Sequence, residues 1–312
     1  MSENQNIAII GSGAFACAIY SSLRDVKNNQ ISMYFHDRDC FDDVIKTKKH
    51  PKMPCSFDEK TKLTTSLEDA INGKKTIFLC CIFAVATEII DEIASILSKN
   101  AEINIVICCK GMLAETPFFL CDYAKQKLPK SSIFVFSGGS FADEMCKKQE
   151  TLVNLSCENE EKFNEIVPIF DNFLSLKYCN NPQATEFLGA LKNVMAIYTG
   201  YISAKNSTNA TIKGIVDFIT DARAFFKQLD WDENLLLEPA GIGDIMLTCL
   251  SGKSRNRTFG ELLATDAQKA KEYQQSTTIE GYDAIFAIQN FCQTKNLTFK
   301  MLDEIFNLVK DF

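Results

Sequence analysis

A short apolar run, Asn6 to Ile10, passes without a break into Gly11-Ser12-Gly13-Ala14-Phe15-Ala16, and the helix-compatible segment Cys17 to Asp25 follows at once. This GxGxxA order, placed at the first strand-to-helix turn, limits the fold more than any other feature of the chain. Gly11 permits a tight turn, Gly13 lets the backbone come close to a ligand, and Ala16 stands where a third glycine would let helix pack on strand. Amides at the start of such a helix suit a negative charge, so the loop points to the diphosphate of a dinucleotide. An ordinary βα turn would explain the strand and the helix, but not the spacing of the small residues.

The runs Ile31 to Phe35, Thr76 to Cys81, Ile103 to Cys109 and Ile133 to Phe136 repeat the rhythm of strand and helix. That alternation implies a parallel sheet with crossover helices. Leu152 to Ser156 and Leu176 to Cys179 read as two further strands, after which β-type runs stop. Helical patterns then cover Thr185 to Ser203, Ile215 to Leu229, Asp244 to Leu250, Glu280 to Lys295 and Met301 to Lys310, with Asn180-Asn181-Pro182 as the junction. The expected architecture is an α/β, doubly wound, Rossmann-type, mostly parallel sheet in residues 1–181 and an all-α domain in residues 182–312. A length of 312 residues with 46% hydrophobic content is enough for two cores.

The formal charge of -7 and a pI near 5.1 argue against a nucleic-acid or anionic-membrane partner, while a local basic pocket for a small anion stays possible. Thirteen cysteines, an odd number without any CxxC, fit reduced thiols in a cytoplasmic protein. With His36 and His50 as the two histidines and no paired-ligand spacing, no metal site is expected. The N-terminus lacks a signal-peptide pattern, and no apolar run approaches the ~20 residues of a membrane span.

Candidate chemistry begins where the second strand ends, in Tyr34-Phe35-His36-Asp37-Arg38. His36 and Arg38 could receive a 2′-phosphate, and Asp37 could instead bind a free ribose diol, so NAD and NADP both stay open with a lean toward NADP(H). Lys110 in Cys109-Lys110-Gly111 follows a strand, at the crevice where doubly wound sheets hold ligands. Ser137-Gly138-Gly139-Ser140-Phe141-Ala142 is a small-residue loop after the next strand, suited to close approach.

Lys192 lies on the first long helix of the second half. Thr185, Leu188, Gly189, Ala196, Thr199 and Ser203 share its face and are mostly small, while Phe187, Leu191, Val194 and Met195 supply apolar surroundings. Burial there would lower the lysine pKa toward the range an acid/base needs. A lysine whose stem packs while its head reaches water is the alternative. Asp244 and Thr248, four apart, share a helix face, and Ser251 to Arg257 reads as a loop in which hydroxyl, amide and guanidinium groups match phosphate oxygens.

These segments, in this order, resemble the NAD(P)-dependent glycerol-3-phosphate dehydrogenase family, in particular its bacterial branch. The likeness runs from Ile7 to about Leu308 and is most specific in GALKNV (Gly189 to Val194), GDIMLTC (Gly243 to Cys249) and SRNRTFGELL (Ser254 to Leu263). CKG at Cys109, SGGSFADE at Ser137 and IEG at Ile279 also match.

The resemblance implies reversible hydride transfer between a nicotinamide cofactor and a triose phosphate, reducing dihydroxyacetone phosphate to sn-glycerol 3-phosphate for glycerophospholipid synthesis. It makes Lys192 the proton-transfer residue, with Lys110, Asp244 and Asn193 as companions. Gly138, Ser140, Ser254, Arg255 and Asn256 match substrate contacts, as do Lys110, Lys192 and Asp244. Ala14, Phe15, His36, Lys110, Ala142, Arg255 and Glu280 match cofactor contacts beside Gly11, Gly13 and Ala16. A homodimer is expected, with substrate bound between the halves and Lys110, Lys192, Asp244 and Arg255 meeting beside the nicotinamide.

Several positions depart from the family pattern. Gly139 replaces a proline, Cys81-Ile82-Phe83-Ala84 replaces a Val-Pro-Ser-polar loop, Leu188 replaces a glycine, and the last family helix is missing after Leu308. A related two-domain hydroxyacid dehydrogenase, or a nucleotide-binding sensor without catalysis, would share much of the pattern. The joint presence of Lys110, Lys192, Asp244 and Arg255 speaks against the sensor.

Overall fold

The computed structural model describes residues 5–98, 100–252, 254–310 and 312. It divides into two compact units, Met1–Cys109 with Leu120–Pro182, and Lys110–Phe119 with Gln183–Phe312.

The first unit is built on eight strands: β1 (Gln5–Ile10), β2 (Asn29–Tyr34), β3 (Lys62–Thr64), β4 (Thr76–Leu79), β5 (Asn104–Ile107), β6 (Ser132–Ser137), β7 (Thr151–Ser156) and β8 (Leu174–Cys179). They form one sheet in the order β3-β2-β1-β4-β5-β6-β7-β8, parallel except that β7 runs antiparallel to β6. Helices α1 (Ala14–Leu23), α2 (Arg38–Thr47), α3 (Leu67–Ile71), α4 (Ala86–Ile96), α5 (Leu120–Lys127), α6 (Ala142–Cys146) and α7 (Glu160–Ile166) provide the connections. This is the expected doubly wound α/β fold. Residues Ile7 to Ile10 and Thr76 to Leu79 are buried, because covered sheet faces leave no polar side for alternation. Sequence reading misses β3, a three-residue edge strand paired with β2 alone, with one strongly apolar residue to mark it.

Strand order reverses beside β1, which pairs with β2 on one side and β4 on the other. At that switch point Gly11 has φ +127°, and a Cβ there would stand 2.6 Å from the Cys80 carbonyl oxygen at the end of β4. The first glycine is therefore required by the approach of a neighbouring strand as well as by the turn.

The second unit is helical: α8 (Pro182–Lys205), α9 (Thr208–Gln228), α10 (Asp244–Leu250), α11 (Arg255–Thr265), α12 (Ala267–Ser276), α13 (Glu280–Lys295) and α14 (Lys300–Val309). Proline at the first position of α8 costs no hydrogen bond and starts the helix cleanly. An aromatic cluster forms the core, with Phe187 stacked on Phe225 at 5.2 Å, Phe225 on Phe299 at 4.9 Å, and Trp231 edge-on to Phe187 at 5.7 Å. Gly200 and Gly260 bring α8 and α11 together backbone to backbone, since a Cβ on either would overlap a carbonyl of the other helix, Arg257 or Ile197.

Two helices were not expected. Ser254 caps α11 by accepting from the Arg257 amide at 3.3 Å, so the segment expected as a loop up to Arg257 is already helical from Arg255. In α12 Ala270 is the buried residue, leaving no apolar stripe to read.

Candidate active site

Asp244 is the centre of the site. It opens α10 directly after a wide π-type turn, Pro239–Gly243, in which Gly241 takes φ -86° and ψ -108°. A Cβ on Gly241 would lie 2.5 Å from the Leu236 carbonyl oxygen, so glycine lets this turn close and deliver Asp244 inward. The side chain of Asp244 is 1% exposed. Its Oδ1 accepts from Lys192 Nζ at 2.8 Å and from Thr248 Oγ1 at 3.3 Å, and its Oδ2 accepts from Lys110 Nζ at 2.5 Å.

Each lysine is held by a different device. Lys192 projects from the buried helix α8 and keeps 14% of its side chain exposed. Lys110 begins the segment Lys110–Phe119, which groups with the helical unit. Asn290 Nδ2 donates to the Ala114 carbonyl at 2.6 Å, and Phe118 and Phe119 pack on Phe291 at 5.1 and 5.5 Å. Those contacts anchor the short segment that carries Lys110.

Burial pushes the Lys110 ammonium down to about 8, with the neighbouring Lys192 charge adding to the effect and Asp244 opposing it. For Asp244, burial alone would raise the carboxyl. The charges and hydrogen bonds of Lys110 and Lys192 outweigh that, so its pKa is lowered and the carboxylate stays ionised. The result is a buried anion shared by two ammonium groups.

A second network joins three helices. Gly281 N–H donates to Asn256 Oδ1 at 2.9 Å, Asn256 Nδ2 to Asn193 Oδ1 at 3.0 Å, and Asn193 Nδ2 to Glu280 Oε2 at 3.3 Å. Asn193, next to Lys192 in sequence, is thereby fixed to the first turns of α11 and α13. A Cβ on Gly281 would stand 2.6 Å from the Asn193 carbonyl oxygen, which ties glycine to this close crossing.

The guanidinium groups expected together are separated in use. Arg257 is committed to packing, with bonds to Glu261 at 2.9 Å and the Cys249 carbonyl at 2.5 Å. Arg255 is exposed at the first turn of α11 and makes no hydrogen bond or ion pair among the described residues. Lys110, Lys192 and Asp244 meet as expected, and Arg255 stands outside their hydrogen bonds.

In the first unit, Gly13 ends the glycine loop and has no side-chain cap for α1. A Cβ on Gly13 would meet nothing within 4 Å, so packing within the protein does not demand glycine there, whereas a closely bound diphosphate would. Ala14 is exposed, Phe15 stands edge-on to Phe136 at 5.9 Å, and Ala16 is fully buried where α1 packs on the sheet. These residues fit a dinucleotide.

His36 is exposed at the end of β2, and Asp37 Oδ1 accepts from the Cys40 amide at 3.0 Å as the cap of α2. Gly138 is explained by packing, because its Cβ would lie 2.8 Å from Val153 Cα on β7. Ser140 Oγ donates to the Gly138 carbonyl at 3.1 Å, and partly buried Ala142 starts α6. Sequence reading misses the π-type turn before Asp244, which carries no residue pattern of its own. All thirteen cysteines are free thiols.

Both halves of the chain are similar to known proteins. The family model for the N-terminus of NAD-dependent glycerol-3-phosphate dehydrogenase matches residues 6–163, and that for the C-terminus matches residues 181–311. Among curated relatives, glycerol-3-phosphate dehydrogenase [NAD(P)+] of Neorickettsia sennetsu is 26% identical, covering 97% of this chain and 89% of its own. That of Rickettsia felis is also 26% identical, with 99% of each chain covered. Among solved structures, glycerol-3-phosphate dehydrogenase from Coxiella burnetii superposes with a TM-score of 0.88 at 23% identity, covering 99% of this chain and 96% of that one, a likeness of fold.

Proposed function

The chain belongs to the NAD-dependent glycerol-3-phosphate dehydrogenase family, and from that membership we propose that it reduces dihydroxyacetone phosphate reversibly to sn-glycerol 3-phosphate. The observation that carries the chemistry is the Asp244 carboxylate shared by Lys110 and Lys192. Bound NAD(P)H supplies the hydride to the carbonyl carbon. As the carbonyl oxygen gains charge, Lys192 donates the proton to it, and takes it back in the oxidation. Lys110 stabilises the developing alkoxide, and Asp244 orients both ammonium groups.

Asn193 orients the helix segment beside Lys192. Arg255 takes the substrate phosphate, with Ser254 and Asn256 beside it, and Gly138 and Ser140 add contacts from the loop after β6. Binding the remote phosphate fixes the small triose in register and turns binding energy into orientation. Gly11, Gly13, Ala14, Phe15, Ala16, His36, Lys110, Ala142, Arg255 and Glu280 are the proposed cofactor contacts. The capping role of Asp37 and the exposed His36 support a preference for NADPH.

Residues 1–181 then hold most of the dinucleotide contacts and residues 182–312 most of the substrate contacts, with Lys110–Phe119 grouping with the helical unit. Among the described residues no helix is long and apolar enough to cross a membrane. A cytoplasmic homodimer that supplies glycerol 3-phosphate for phospholipid synthesis completes the reading.

Loss of the nicotinamide absorbance band on adding dihydroxyacetone phosphate tests it, with NADH and NADPH compared and Lys192→Ala as control. Oxidation by the wild type and a loss of about 100-fold or more in the folded variant are expected. No oxidation of either cofactor by the wild type overturns the proposed activity.

A further inference from the structure

His50 is 9% exposed and lies outside every segment assigned to the reaction. It is held in a short ribbon, with a bridge between Lys49 and Ser56 and a bond from its own amide to the Cys55 carbonyl at 2.9 Å. Its ring makes three contacts, two of which, to backbone groups, are of opposite sense. The Lys52 amide lies 3.1 Å from Nδ1, and an amide can only donate, so Nδ1 is the unprotonated acceptor. In the neutral ring Nε2 then carries the hydrogen, and it lies 2.9 Å from the Ser12 carbonyl oxygen, which can only accept. Cys40 Sγ lies 3.6 Å from the same nitrogen.

Ser12 stands between the two glycines of the GxGxxA loop. The Ser12–Gly13 peptide is trans, and in a planar trans peptide the C=O and N–H point in opposite directions. A bond that holds the Ser12 carbonyl toward His50 therefore turns the Gly13 N–H the other way. We propose that His50 is a positioning residue for the cofactor: through the Ser12 carbonyl it fixes the peptide plane that aims the Gly13 N–H at the dinucleotide diphosphate. This rests on reading Gly11 to Ala16 as the diphosphate cradle. A glycine-flanked peptide is otherwise free to rotate, so the bond removes a conformational cost from binding.

The test measures the Kd of NADPH for wild type, His50→Phe and His50→Gln, together with KM and kcat. His50→Phe keeps a ring without a donor and should raise Kd and KM for NADPH about tenfold while kcat changes less than about twofold. His50→Gln, whose amide can reach the place of Nε2, should bring Kd back to within about threefold of wild type. An unchanged Kd in His50→Phe, or an equal rise in both variants, overturns the proposal.

If His50→Phe does not fold, ¹⁵N NMR of the wild type decides. The chain has two histidines, so His36→Gln assigns the ring signals. Hydrogen on Nε2 is expected, and hydrogen on Nδ1 of the neutral ring overturns the proposal. Failure of the wild type to bind either NADPH or NADH is a distinct result, which removes the cradle and the positioning role together.

Discussion

Lys110 and Asp244 are 134 positions apart in sequence, and their Nζ and Oδ2 atoms are 2.5 Å apart in the folded chain. Neither charge has much water to replace the other. Asp244→Asn would leave two neighbouring ammonium groups buried with no anion between them. A loss of about 3 to 5 kcal/mol in stability is expected by chemical denaturation, with a large loss of turnover. A loss below about 1 kcal/mol would show that the ion cluster does not hold together in solution.

The same cluster sets a pH dependence. The Lys110 ammonium lies at about 8 in the folded chain against 10.5 for a free lysine. Between these values the unfolded chain carries a proton that the folded chain has released, so stability from this group rises with pH through that window. It is fully present above 10.5 and is lost as pH falls through about 8. Denaturation of wild type against Lys110→Met across this range should show that slope in the wild type and not in the variant. In the proposed mechanism the alkoxide is stabilised by the charged form of Lys110, so kcat/KM for ketone reduction should fall as pH rises through about 8. A wild type and variant with parallel stability profiles would contradict the assignment.

With cofactor saturating, Arg255 should act chiefly on the substrate phosphate. Arg255→Ala is expected to raise KM for dihydroxyacetone phosphate about 10- to 100-fold, the range for a lost charge-assisted bond, and to leave the slow reaction of unphosphorylated dihydroxyacetone unchanged. Equal losses with both compounds would remove Arg255 from the phosphate site.

Gly260→Ala tests the packing of α8 on α11. The new methyl would overlap the Ile197 carbonyl, and the helices must separate, at an expected cost of about 1 to 3 kcal/mol in urea denaturation. Unchanged stability would mean that the two backbones are not in contact.

What could be read in advance follows from where burial leaves a pattern. The strands from Ile7 to Phe136 are legible because central parallel strands are apolar along their whole length. β3 is not, being three residues long at an edge. α8 and α13 show their small and apolar faces, whereas α11 opens in a polar Ser-Arg-Asn-Arg stretch and α12 buries little. Lys192 and Asp244 are visible as charged residues among small or apolar neighbours. That Asp244 accepts from Lys110 as well as from Lys192 follows from the family resemblance and not from any local pattern, because it depends on a π-type turn and on a loop pinned by Asn290. His50 escapes for a related reason: its partner is a backbone carbonyl, which every residue possesses.

The backbone contact of α8 with α11 also governs how the protein can change. Lys192 and the crossing at Ile197 and Gly200 belong to one rigid rod, so the angle between them is set by counting residues. Inserting or deleting one residue between Lys192 and Ile197 would turn one end against the other by about 100°. Either the lysine would leave Asp244 or a side chain would replace the glycine at the crossing. Point changes can accumulate along this stretch, but its length cannot drift, and gaps separating relatives should cluster outside it.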